Sequence, residues 1–95
     1  MLEVVEMFQG HDDVSVDVTA FEGGVLEGYN HIKDLAVSAA ESFEKRTGRK
    51  CLVDMGRSDE GYPCADLYTE NMVFQKFFIT NNEFRDMEIL KPDEF

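Results

Sequence analysis

Two cysteines, two histidines and twenty carboxylates are the side chains in this 95-residue chain that could carry chemistry. A zinc site needs three or four converging Cys, His or carboxylate ligands. Here Cys51, Cys64, His11 and His31 lie far apart and in no ligand spacing. The run His11-Asp12-Asp13 reads as a solvated acidic turn, so no metal is expected. Nucleophilic catalysis fares no better, because no G-x-S-x-G is present and Cys51 falls in an apolar run, where a thiol behaves as a small core residue. Neither G-x-x-x-x-G-K-S/T nor G-x-G-x-x-G occurs, so no phosphate-cradling loop is indicated. The expectation is a non-enzymatic protein with no cofactor.

Charge is the stronger signal. The formal net charge is −11, and residues 1–32 hold seven acids (Glu3, Glu6, Asp12, Asp13, Asp17, Glu22, Glu27) with no Lys or Arg. The bases gather later, with Lys45, Arg46, Arg49 and Lys50 in one short stretch. Such a field repels nucleic acid and anionic lipid and attracts basic protein surfaces. The same charge also keeps a small domain soluble.

These residues need a scaffold, and its anchor is residues 30–48, NHIKDLAVSAAESFEKRTG. Ile32, Leu35, Ala36, Ala39, Ala40 and Phe43 recur at three-and-four spacing, which predicts one amphipathic helix. Asn30 suits an N-cap, Lys45 and Arg46 suit the negative end of the helix dipole, and Gly48 suits a left-handed stop. Before it, residues 2–8 form one β-prone run. In the next, Val14, Val16, Val18 and Ala20 alternate with Ser15, Asp17 and Thr19, so the two predict a hairpin. Residues 22–29 carry three glycines and read as a loop.

After the helix, residues 50–55 predict a strand and residues 56–63 a loop, while 64–71 fit either a strand or a short helical turn. Residues 72–80 predict a strand with Val73, Phe77 and Ile79 on one face and Met72, Phe74, Phe78 and Thr80 on the other. Apolar on both faces, it must be central in a sheet or covered by a partner, a homo-oligomer included. Residues 84–91 read as a last strand ended by Pro92. The whole predicts one α+β domain spanning residues 1–95, mostly antiparallel sheet in the order ββαβββ, with one amphipathic helix packed on one face.

No apolar run is long enough to span a membrane, and the acidic N-terminus is unlike a signal peptide. With two cysteines outside any C-x-x-C spacing, a reduced cytoplasmic protein is expected, and a disulfide only if the fold brings them together.

From Gly28 to about Phe74, helix, strand, loop and then CADLYTENMVF resemble the second half of the GNAT acetyltransferase core. The resemblance implies acetyl-CoA as cosubstrate, Tyr68 as general acid toward the coenzyme A sulfur, and a pyrophosphate loop at residues 25–30. Of that loop's pattern only Gly28 matches, and Met72 stands where the family has glycine. A reduced acetyltransferase-like domain is therefore the alternative reading. The leading one is a small acidic inhibitor that docks on a basic, nucleic-acid-binding surface of a partner protein through Asp12, Asp13, Asp17, Glu22 and Glu27. Alternate strand residues project at about 6.5–7 Å, comparable to phosphate spacing, so this hairpin suits nucleic-acid mimicry.

Overall fold

In a computed structural model, residues 2–9, 13–70 and 72–81 are described. The valine alternation forms the hairpin expected of it. Strand β1 (Leu2–Gln9) pairs antiparallel with β2 (Val14–Phe21), in unbroken register from Leu2 opposite Phe21 to Gln9 opposite Val14. Helix α1 (Val25–Thr47) follows, then β3 (Leu52–Arg57), β4 (Pro63–Thr69) and β5 (Met72–Asn81). The element order is ββαβββ, and the strands form one antiparallel sheet in the order β2-β1-β5-β4-β3. The ambiguous run at 64–71 is thus a strand through Thr69, and residues 84–91 lie outside the described residues. β5 takes the central position that its two apolar faces demand.

α1 begins five residues before the expected Asn30 cap, so the glycine-rich stretch expected as a loop through Tyr29 is already helical from Val25. The N-cap is Gly24, whose N–H donates to Glu27 Oε2 at 3.0 Å. That is the half of a capping box open to a cap without a side chain, and it anchors the first turn. Gly28 explains why a glycine is tolerated inside the helix. A Cβ there would lie 3.0 Å from Ile79 Cγ1, so its absence lets the helix rest directly on β5. Gly28, Ile32, Ala36 and Ala40 form the buried row, and three small residues out of four keep the axis close to the sheet. The helix ends as expected, with Gly48 at φ 72° donating its N–H to Glu44 O at 2.8 Å.

Between helix and sheet lies the main core, including Val4, Ile32, Leu67, Phe77 and Ile79. A smaller cluster, Val5, Met7 and Phe78 with Cys64 against it, occupies the opposite face. The two cysteines therefore lie on opposite sides of the sheet and are not joined in a disulfide. β5 departs from simple alternation. Leu67 pairs with Gln75 but Tyr68 with Val73, leaving Phe74 as an extra residue. This bulge brings Phe74 to the helix side, away from Phe78, with which it was expected to share a face. There it stacks on Phe43 at 4.8 Å and meets Phe8 edge-on at 6.3 Å.

Candidate acidic docking face

α1 packs on β3, β4 and β5 and makes only marginal contact with β1 and β2. It touches β2 at one end, where His31 lies 5.2 Å from the Phe21 ring. Val4 is buried in the core beneath the helix, and beyond it the helix-side face of the hairpin, from Glu6 and Asp17 to Phe8 and Ser15, is open. Register assigns its side chains: Val4, Glu6 and Phe8 on β1 lie opposite Thr19, Asp17 and Ser15 on β2.

Two adjoining hollows mark this open face. One, of about 270 Å³, has Val4, Glu6 and Phe77 on its sheet side and His31 and Leu35 on its helix side. The other, of about 280 Å³, lies toward Phe8 and Ser15. Both are lined by Glu6 and Asp17, which are cross-strand partners. Glu6 is held in place because Gln75 Nε2 donates to its Oε2 at 2.6 Å from a buried position on β5. Asp17 makes no hydrogen bond or ion pair with a described residue. Two carboxylates directly opposite each other repel. A cation between them would relieve that repulsion, so the chemistry this face can perform is to receive an ammonium or guanidinium group.

Of the five residues expected to bind a partner, the four described do not form one patch. Asp13 is exposed, immediately precedes β2 and is in phase with Ser15 and Asp17. Glu22 is exposed at the other end of β2, in the link to α1. Glu27 caps the helix. Asp12 lies outside the described residues. Sequence reasoning counted Glu6 among the acids without placing it at the site. Its signal was the even phase it shares with Val4 and Phe8, which sets it across the hairpin from Asp17.

Of the basic cluster, Arg49 is engaged at the end of β4 and Arg46 lies over the Phe43 ring. Arg49 Nη2 lies 3.2 Å from Glu70 Oε1 and donates to Thr69 Oγ1 at 3.4 Å. Cys51 is buried in the core, its N–H donating to Glu44 Oε2 at 2.8 Å. Burial pushes its thiol up from the ordinary value, and the Glu44 charge adds to this, which disfavours the nucleophilic thiolate. Residues 25–30, where the acetyltransferase resemblance would put a pyrophosphate loop, form the first turns of α1. Glu27 already holds the Gly24 amide there, and its carboxylate would repel a phosphate. Tyr68 lies half-buried in β4. Among the described residues no three His, Cys, Asp or Glu side chains converge to hold a metal ion, and no helix is long and apolar enough to cross a membrane.

Compared with models of known protein families, with curated proteins and with solved structures, the chain matches none.

Proposed function

We propose that this is a non-enzymatic binding protein whose β1–β2 hairpin docks on a basic surface of a partner protein, inhibiting a nucleic-acid-binding enzyme by imitating its ligand. The observation that carries the reading is the pairing of Glu6 with Asp17 on the face the helix leaves open, with no Lys or Arg among residues 1–32. Asp13 extends the same phase one repeat beyond Ser15, about 13 Å from Asp17 at the rise of a strand. A row of negative charge beside the aromatic ring of Phe8 is a surface that suits a groove built for a nucleic-acid backbone. The attraction is electrostatic and therefore falls with salt.

The test is displacement. A basic protein captured from cell lysate by the immobilised chain at low salt is expected to be released by duplex DNA, as well as by high salt. Release by salt but not by DNA contradicts mimicry. Equal capture by the Asp13→Lys/Asp17→Lys variant contradicts docking through the hairpin.

A further inference from the structure

We propose that the partner is met by strand addition: an extended segment with alternating apolar and basic side chains pairs along the outer edge of β2. This rests on the docking reading above and specifies its geometry. β2 ends the sheet, and all eight of its register pairs are with β1. Among the described residues nothing pairs with its other edge. An unpaired edge presents a row of N–H and C=O groups, and folded proteins usually blunt it with lysine, proline, a bulge, a short strand or a covering helix. The β2 sequence, VSVDVTAF, contains no Lys, Arg or Pro, and its one charge, Asp17, repels acidic strands while admitting basic ones. Its pairing with β1 has no bulge, and α1 barely reaches it. The opposite edge, β3, is shorter at six residues and ends in Gly56 and Arg57.

The side chains of β2 say what would pair there. Val14, Val16 and Val18 form a row on the face away from the helix, each about 40% exposed, beside the buried Val5 and Met7. An added strand would continue that row with apolar residues. On the other face its side chains would stand beside Ser15, Asp17 and Thr19. Directly opposed cross-strand Cβ atoms are about 4.5–5.5 Å apart, within easy reach of a lysine or arginine for Asp17. A second copy of this chain fits poorly, because antiparallel β2 pairing would bring the Glu6–Asp17 pairs of two chains together, each chain at −11. Main-chain pairing supplies register and the acids supply selection for a basic segment.

The probe is an eight-residue peptide alternating valine and lysine, with two controls. One has proline at its two central valine positions and keeps every lysine; the other has glutamate in place of lysine. The valine–lysine peptide is expected to bind and to slow hydrogen exchange at outward amides of β2 at least tenfold, with β3 amides unchanged. The proline peptide should bind at least tenfold more weakly, and the glutamate peptide not at all. Equal binding of the proline peptide overturns strand addition while leaving the acidic docking face intact. Failure of both lysine peptides, with their charge, to bind overturns the docking reading as well. Slowed β2 exchange without peptide, together with a dimer mass by light scattering, assigns the edge to a second copy and overturns the proposal.

Discussion

Among the described residues the sheet carries two cross-strand pairs of carboxylates, one on each wing, and their surroundings differ. Asp54 on β3 lies opposite Asp66 on β4, on the face away from the helix, and Lys76 on β5 is the next residue in that row. Glu6 on β1 lies opposite Asp17 on β2, on the helix face, where the next residue in the row on β5 is the apolar Phe77 and the neutral amide of Gln75 reaches Glu6 from the diagonal position. At the first pair the chain supplies its own cation. At the second it supplies a hydrogen bond that holds Glu6 in place and leaves the repulsion standing. The helix follows the same division, covering β3, β4 and β5 and leaving most of the hairpin beyond Val4 and Phe21 uncovered. One wing holds a cation beside its carboxylates, and the other, among the described residues, does not.

The contrast can be broken by mutation, and the largest effects belong to the covered wing. Leu67 is fully buried there, so Leu67→Ala should cost about 2–5 kcal/mol in chemical denaturation. Val16→Ala on the exposed edge should cost less than about 1 kcal/mol in the same assay. Equal losses would mean the hairpin is as tightly packed as the helix-covered strands. Next comes the point where the helix meets the sheet. Gly28→Val places a Cβ 3.0 Å from Ile79 Cγ1 and should cost about 1–3 kcal/mol through overpacking. Ile79→Ala removes both Cγ1 and Cδ1, so if the contact is the cause its loss of Tm should be smaller in the Gly28→Val background than in wild type.

A smaller effect sharpens the electrostatic side. Burial holds the Asp66 carboxyl above the usual range, Lys76 opposes this, and Asp54 reinforces it. A carboxyl raised on folding holds its proton more readily in the folded state, so stability falls as pH rises between the ordinary value and the raised one. Asp66→Asn is therefore expected to raise Tm at neutral pH, with the gain vanishing as pH falls below that interval. Asp17→Asn, at an exposed position, should move Tm little while weakening partner binding. The smallest change expected is at Arg49–Glu70, an ion pair whose side chains are 54% and 80% exposed. Glu70→Gln should alter stability by less than about 1 kcal/mol, and less still at high salt.

Patterns local in sequence were readable in advance. The helical stripe, the valine alternation of β2 and the central place of β5 follow from periodicity and from which faces are apolar. Cys51 as a core residue follows from its apolar neighbours. What depended on contacts between distant residues was not readable. Asn30 looked the better cap, but Glu27 reaching back to Gly24 and the fit of Gly28 on Ile79 start the helix earlier. The bulge at Phe74 shifts the face of a side chain with no change in hydrophobic pattern, because it is set by pairing with β4. Of the site, the acid-only N-terminal third and the phase of Asp13 and Asp17 were legible. Glu6 was not, since its role depends on hairpin register and on Gln75, 69 residues away in sequence.

The central claim is that position, and not net charge alone, makes the hairpin the docking face. Two double reversals separate these: Asp13→Lys/Asp17→Lys on the hairpin, and Asp34→Lys/Glu41→Lys at exposed positions on α1. Both change the net charge equally. Measured as retention of the captured basic partner at one fixed salt concentration, the hairpin reversal should abolish binding and the helix reversal should leave most of it. Equal loss from the two would contradict the account, because it would make the interaction a property of overall acidity.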